Sequence, residues 1–208
     1  MKKIFFDIET LPAAEEKRKI IEELYGRYVE KREKKGGRAP KDFEEYFKNT
    51  SFSGTFGRIF CISYAINNDP PQCLSGDEKE ILKSFWEAAR DVDLFVGHNI
   101  FDFDMKFIYQ RSIVLGVRPT YNLTFAKYRD NPMYDTMHEW NKWAYDKTGS
   151  SLHELASSFG IKSSKEGDLD GSKVYEFYKA GKLKEICDYC NADVEVTRAI
   201  YKRMTFNN

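Results

Sequence analysis

Two acidic residues near the N-terminus, Asp7 and Glu9, follow an apolar run and have the spacing of neighbours on one face of a β-strand. The run Ile4-Phe5-Phe6 favours a buried strand in the centre of a sheet. Two carboxylates at the end of such a strand repel each other and lose hydration unless a cation lies between them. The pair therefore predicts a divalent metal site, although acidic residues also end strands simply by entering solvent.

A further acidic residue, Asp104, follows a second apolar run at 94–96 that predicts another short buried strand. Asp104 is placed at the start of a predicted helix whose next turns are apolar. The helix dipole favours a carboxylate in a first turn, so a simple helix cap is the competing interpretation.

A third pair of polar residues lies near the C-terminus, where Tyr189 and Asp193 are four positions apart in a long predicted helix. This spacing puts both side chains on one face of the helix. Each of these signals is weak when it is taken alone. Their order along the chain and their residue types are informative only in combination.

The elements that must position these residues are strands early in the chain and mostly helices later. After the first strand, strands are predicted at 58–66, 72–74 and 94–96. Helices are predicted at 13–35, around 43–47, and at 77–89, 104–115, 133–143, 152–159, 172–180 and 183–204. This succession predicts an α/β or α+β layer with a mixed sheet.

The length of 208 residues suffices for one well-buried domain. The 33 basic residues balance the 33 acidic ones, so the net charge says nothing about a polyanionic partner. No apolar stretch approaches the length of a membrane span, and the N-terminus lacks the apolar segment of a signal peptide. We therefore expect a cytoplasmic protein without a membrane partner.

Four cysteines, Cys61, Cys73, Cys187 and Cys190, are sparse and irregularly spaced, which suits a reducing compartment better than a disulfide framework. Cys187 and Cys190 form a C-x-x-C pair. No second such pair and no nearby histidine complete a zinc motif, so these two are interpreted as buried helix residues.

Taken together, the motifs resemble those of the DEDD superfamily of 3′–5′ exonucleases, the DnaQ-like group with a ribonuclease H-like fold. The resemblance is strongest to predicted exonucleases that are similar to the proofreading domain of B-family DNA polymerases. It extends from end to end and implies an α/β fold with a mixed central sheet flanked by helices. The matching segments are Phe6-Asp7-Ile8-Glu9-Thr10, Asn99 with Phe103-Asp104, Tyr134-Asp135-Thr136, and Tyr189 with Asp193, whose tyrosine indicates the DEDDy subclass.

The resemblance implies removal of nucleotides from the 3′ end of single-stranded nucleic acid, with DNA favoured over RNA and replication or repair proteins as candidate partners. Two divalent ions, Mg²⁺ or Mn²⁺, would lie about 3.5–4 Å apart and neutralise the attacking and leaving oxygens. By resemblance to the family, Asp7 would bridge both ions. Glu9 and Asp193 would complete the site of the ion on the nucleophile side, and Asp104 would hold the other ion through water.

The remaining roles implied by the resemblance concern water and substrate. Tyr189 would orient the attacking water, because a hydroxyl with an ordinary pKa near 10 is a poor base. Thr10, Asn99 and Phe103 would contact the substrate. Two features depart from the family pattern: Asp102 competes with Asp104 for the role of the second motif, and a long insertion follows the first motif. We predict a single exonuclease domain over 1–208 with a helical insertion at about 13–53.

Two other functions stay open. The first motif superficially resembles that of haloacid-dehalogenase-type phosphatases, which need an Asp where Glu9 stands. The second alternative is a non-catalytic module for binding nucleic acid or protein that retains a relic site. A metal-dependent hydrolysis assay separates all three.

The predicted insertion carries a basic run between residues 27 and 41, with seven basic residues and two acidic ones. A solvated helix face is one interpretation. The other is that these cations hold the nucleic-acid strand upstream of the cleaved bond through its phosphates, without reading sequence. The candidate strand-binding residues are Lys31, Arg32, Lys34 and Lys35.

Overall fold

The central element of the fold is a five-stranded mixed sheet in a computed structural model that describes residues 1–34, 42–121, 126, 128–144, 150–164 and 168–207. The strands are β1 (Lys3–Leu11), β2 (Arg58–Ile66), β3 (Gln72–Ser75), β4 (Leu94–Gly97) and β5 (Met133–Asp135). Their order is β3-β2-β1-β4-β5. The pairs β1–β2 and β2–β3 are antiparallel, and β1–β4 and β4–β5 are parallel. The predictions of an α/β fold, a mixed sheet and a central first strand are confirmed.

Helices cover both faces of this sheet. Their bounds are α1 (Arg18–Glu33), α2 (Phe43–Lys48), α3 (Glu78–Ala88), α4 (Asp104–Leu115), α5 (Thr136–Trp140), α6 (Leu152–Ser158), α7 (Val174–Lys179) and α8 (Leu183–Met204). Short 3-10 turns lie at Glu15–Lys17, Asn49–Phe52 and Gly171–Lys173. No helix in the described ranges has both the length and the apolar character needed to cross a membrane.

The two faces of β1 bury different partners because its side chains alternate. Phe6 and its neighbours on one face pack with the apolar sides of α3 and α4, in a core that includes Phe85, Trp86 and Met105. The other face is covered by α8, where Phe5 packs with Val194 and Tyr201. Asp7 and Glu9 alternate with the first set and therefore face α8.

The prediction of a single helix over 133–143 is wrong for its first three residues. Residues Met133–Asp135 form β5, and the helix that follows covers only Thr136–Trp140. Met133 pairs in parallel with Phe95, and Asp135 keeps an extended backbone while its side chain caps α5. Pairing with β4 decides the conformation of this segment, and local helical spacing does not reveal it.

The segment between β1 and β2 contains α1 and α2, which pack through aromatic side chains. Tyr25 contacts both Phe43 and Tyr46, at ring-centroid distances of 5.8 and 5.2 Å. Ile21 is buried, as its place on the predicted apolar face requires, but Ile20 is 48% exposed. The predicted stop at Gly36-Gly37 lies outside the described residues.

Candidate active site

Three acidic side chains from β1 and α8 meet at one point. Carboxylate oxygens of Asp7, Glu9 and Asp193 all lie within 4.8 Å of one another. Glu9 and Asp193 are 8% and 7% exposed, and Asp7 is half-buried. A register shift between Glu9 and Thr10 marks an irregularity of β1 at this position, where β-bulges commonly re-aim side chains. We call these three residues the acid cluster.

The fourth predicted acid, Asp104, approaches from the first residue of α4. The parallel pairing of β1 with β4 covers only Lys3–Phe5, so later amides on that side of β1 need other partners. The Ile8 amide donates a hydrogen bond to Asp104 Oδ1 over 3.1 Å, and Asp104 is only 4% exposed. Burial raises the pKa of Asp104 to about 7, against the lowering effect of that hydrogen bond.

Asp102, the competing acid, points elsewhere. Its side chain is 58% exposed, and one carboxylate oxygen lies 3.1 Å from His138 Nε2. The structure therefore brings Asp104 against the strand that carries the acid cluster, and leaves Asp102 on the surface beside α5.

The electrostatics of the acid cluster favour a bound cation. Burial, then the neighbouring Cys190 side chain and the other carboxylates, raise the pKa of Asp7 well above its ordinary value. The pKa of Glu9 is raised by burial, Cys190, Asp193 and Asp104. Within the described part of the chain, no lysine or arginine forms an ion pair with Asp7, Glu9 or Asp104. A hard divalent cation fits this set of oxygen donors.

Tyr189 lies on the same helix face as Asp193 and is half-buried. Burial, and then the charges of Asp193, Glu9 and Asp7, raise its pKa above the ordinary value of 10. A hydrogen bond to Asp193 acts in the same direction. Tyr189 is thus a neutral hydroxyl at physiological pH, able to donate a hydrogen bond but unsuited to act as a base.

The predicted substrate-binding residues have separate surroundings. The Thr10 hydroxyl donates to the Ser51 carbonyl over 2.8 Å. Asn99 adopts a left-handed backbone (φ +64°), and its main-chain amide donates a hydrogen bond to Asp135 Oδ1 over 2.9 Å. Phe103, directly before α4, borders a cleft beside Glu9. Thr10 and Phe103 thus lie at this cleft, while the described contacts of Asn99 hold the loop before α4.

The cleft beside Glu9 has a volume of about 370 Å³, which is in the size range of small-molecule sites. Its walls combine aromatic rings, hydroxyls and cations, and the members not predicted from sequence include Lys48, Phe52, Ser172, Tyr175 and Lys179. Phe52 is 70% exposed, and Lys179 Nζ lies 4.8 Å from the centre of the Tyr175 ring. Neither motif nor spacing marks these residues, because they come from separate elements: the end of α2, the 3-10 turns at Asn49–Phe52 and Gly171–Lys173, and α7.

Asp135 is a further residue whose part in the site was not predicted. It is 1% exposed and accepts hydrogen bonds from the amides of Asn99, Phe101, Met137 and His138. These bonds join the end of β5 to the loop that leads to Asp104. The Asp-Thr pair before a helix is an N-cap signature that could have indicated the capping half of this role.

The described basic residues predicted to bind a strand lie at the C-terminal end of α1. Lys31, Arg32 and Lys34 are exposed, and the Arg32 guanidinium lies 5.3 Å from the centre of the Tyr28 ring. No described contact joins these three residues to the acid cluster. Lys35 lies outside the described residues.

The strand order, the helices on both faces and the acids carried by β1, α4 and α8 define a ribonuclease H-like α/β protein with a candidate metal site. A family model described as a predicted 3′–5′ exonuclease related to the exonuclease domain of PolB matches residues 65–208. The match covers well over half of the chain, and the chain therefore belongs to this family.

Two archaeal polymerases illustrate the relationship. The chain is 26% identical over 160 residues to a DNA polymerase of Archaeoglobus fulgidus, a match that covers 70% of this chain and 20% of the polymerase. It also matches the solved structure of the family B DNA polymerase from Pyrobaculum calidifontis, with a TM-score of 0.68 and 18% identity. That match covers 99% of this chain and 24% of the polymerase, and it supports the fold. The chain thus spans about a fifth to a quarter of the length of these relatives.

Proposed function

We propose that this protein is a metal-dependent 3′–5′ exonuclease that hydrolyses single-stranded nucleic acid, with DNA preferred, to nucleoside 5′-monophosphates. The observation that carries the proposal is the meeting of Asp7, Glu9 and Asp193 oxygens within 4.8 Å, with Asp104 bonded to the same strand. Membership of the family of predicted exonucleases supports this assignment.

The acid cluster suits Mg²⁺ or Mn²⁺ because its donors are hard carboxylate oxygens whose mutual repulsion a cation relieves. Asp7, Glu9 and Asp193 would hold one ion directly, and Asp104 would contribute to a second that shares Asp7. Bound metal supplies charge neutralisation and a nucleophile at neutral pH for phosphodiester hydrolysis.

The other residues of the site would position the reactants. Tyr189, as a neutral donor beside Asp193, would orient the attacking water. The thiol of Cys190 lies 3.3 Å from Asp7 Oδ2 and would hold that carboxylate in place. In the cleft, Lys48 and Lys179 offer charge to phosphates, and Phe52 offers a face on which a base can stack.

We treat residues 1–208 as one exonuclease domain, with 13–53 as its helical insertion. A cytoplasmic location is supported by four free cysteines, which persist in reducing compartments. Replication or repair proteins are the class of partner that the polymerase relatives suggest.

The decisive experiment follows degradation of a 3′-labelled and a 5′-labelled single strand by the purified protein, with Mg²⁺ or Mn²⁺. We expect stepwise loss from the 3′ end, release of nucleoside 5′-monophosphates and no reaction in EDTA. Asp7→Ala should reduce the rate most strongly, because a shared ligand supports both ions. Unchanged activity in Asp7→Ala or in EDTA would overturn the assignment.

The same preparation separates the alternatives. Hydrolysis of small phosphomonoesters, with intact strands, would indicate a phosphatase. Binding of a single strand without any hydrolysis, at all pH values and with both metals, would indicate a module with a relic site.

A further inference from the structure

The four cysteines, irregularly spaced along the chain, converge beneath α8. In the sheet register Glu9 lies opposite Cys61, Cys61 opposite Ser75, and Ser63 opposite Cys73. Directly opposed residues share a face of the sheet, so the thiols of β2 and β3 lie on the face that carries the acid cluster. Cys187 and Cys190 enter the same layer from α8. The C-x-x-C pair is therefore half of a larger group, which spacing alone could not reveal.

Three of these thiols form a compact group. The Sγ atoms of Cys61, Cys73 and Cys187 all lie within 4.8 Å of one another. Cys61 is fully buried, whereas Cys73 and Cys187 are half-buried. The group thus has a closed inner side against the sheet and an outer side that solvent can reach.

We propose that Cys61, Cys73 and Cys187 bind one Zn²⁺ ion, at a site separate from the acid cluster. Thiolates are soft ligands that select zinc over Mg²⁺ or Mn²⁺. Tetrahedral coordination with Zn–S bonds of about 2.3 Å separates the sulfurs by about 3.8 Å. The observed limit of 4.8 Å means that the three sulfurs need only small side-chain movements to reach that geometry.

The fourth cysteine, Cys190, interacts with Cys61 but also contacts Asp7. The Cys190 thiol lies 3.3 Å from Asp7 Oδ2 and 3.5 Å from the Asp7 carbonyl oxygen, and can donate a hydrogen bond to either. As a zinc ligand it would be a thiolate and would place a second negative charge beside Asp7. We therefore assign the fourth zinc position to water, which reaches the ion from the half-buried side of Cys73 and Cys187.

Zinc accounts for the arrangement better than a disulfide does. A disulfide would use two of the three sulfurs and leave the third beside it, whereas one metal ion uses all three. The ion would join two neighbouring strands to α8, including the four-residue edge strand β3. Because α8 also carries Tyr189 and Asp193, the zinc site would fix the helix that completes the proposed active site.

The test uses the full chain, reduced and stripped of metal, and titrated with Co²⁺ in place of Zn²⁺. We expect one equivalent of Co²⁺ to give a thiolate-to-cobalt charge-transfer band and the intense visible bands of a tetrahedral ion, both abolished by Zn²⁺. Cys73→Ser and Cys187→Ser should remove these bands. Cys190→Ser and Glu9→Gln are the matched controls and should keep them, because neither residue is a ligand of this ion.

A second measurement uses only the unaltered chain, so that misfolding of a variant cannot obscure the result. Zn²⁺ should slow alkylation of Cys73 and Cys187 by iodoacetamide at least tenfold, and should raise the melting temperature by several degrees. Absence of the charge-transfer band, unchanged alkylation, or loss of the band in Cys190→Ser would overturn the proposal. A Cys73–Cys187 disulfide in freshly purified, zinc-free protein would overturn it as well. These readouts do not depend on nuclease activity.

Discussion

The main-chain amide of Ile8 donates a hydrogen bond to the Asp104 carboxylate over 3.1 Å, across 96 positions of sequence. This bond ties the first residue of α4 to the strand that carries Asp7 and Glu9. It also distinguishes Asp104 from Asp102, which lies two residues earlier and contacts His138 instead.

The first prediction concerns these two acids. Asp104→Asn should lower exonuclease activity by two or more orders of magnitude, because it removes a carboxylate from the metal site but keeps an acceptor for Ile8. Asp102→Asn is the control and should lose less than a factor of about three, since its side chain is exposed. Rates on a short single strand at saturating Mn²⁺ measure both effects, and the reverse ranking would contradict the placement of Asp104.

The second prediction concerns Tyr189. Tyr189→Phe should reduce kcat by about 100-fold or more, which is the scale expected when a positioning group is removed, while the affinity for Mn²⁺ stays unchanged. The pH at half-maximal rate should also stay unchanged, because the raised pKa keeps the hydroxyl neutral throughout the working range. Comparable kcat values for variant and parent would mean that Tyr189 only packs against the acid cluster.

Long elements with a clear apolar or amphipathic pattern follow closely from the sequence. The predicted bounds of β2, α4 and α8 agree with the observed ones, and Gly116, whose φ of +64° suits glycine, caps the C-terminal end of α4. β5 could not be predicted in the same way. It has only three residues, and it is a strand because it pairs with β4.

The residues of the candidate site were likewise predictable only in part. The order and residue types of Asp7, Glu9, Asp104 and Asp193, matched to the motifs of the family, predicted that they converge. The structure brings Asp7, Glu9 and Asp193 together and bonds Asp104 to the same strand. The cysteine group and the cleft cations were not predicted, because they depend on strand register and on helices distant in sequence that meet only in the fold. Lys179, for example, reaches the cleft from α7, far in sequence from Glu9.

The third prediction concerns stability in the absence of metal. A carboxyl whose pKa is raised by folding stabilises the fold below its unfolded pKa, and this stabilisation is lost as the pH rises through the folded value. Asp104 has an ordinary pKa near 4 when unfolded and about 7 in the fold. The melting temperature of metal-free protein should therefore fall by roughly 5–10 °C between pH 5 and pH 8.

Asp104→Asn is the control for this measurement, since an amide does not titrate and the fall should become shallower. Mn²⁺ should raise the melting temperature most at pH 8, because the ion replaces the protons that the acid cluster holds at low pH. A metal-free melting temperature that rises from pH 5 to pH 8 would contradict the raised pKa values.

The last prediction separates the two groups of cations that could hold the nucleic-acid strand. Lys48 and Lys179 border the cleft beside Glu9, whereas Lys31, Arg32 and Lys34 lie at the C-terminal end of α1 and do not line the cleft. Changing Lys48 and Lys179 to Gln should therefore raise the KM for a dinucleotide several-fold. Changing Lys31, Arg32, Lys34 and Lys35 to Gln should leave the dinucleotide unaffected and weaken only the binding of long strands.

Salt dependence gives the sharper measurement, because the slope of log K against log salt falls by about 0.7 for every single-strand phosphate that the protein no longer neutralises. The α1 variant should flatten this slope on long strands alone. Changing Lys83 and Lys142 to Gln is the control for the Lys48 and Lys179 variant, because it removes the same two charges elsewhere. Both control lysines are exposed and bonded to neighbouring glutamates. If the α1 variant keeps the parental slope on long strands, that helix end is a solvated face or a protein contact, and the strand continues from the cleft along another surface.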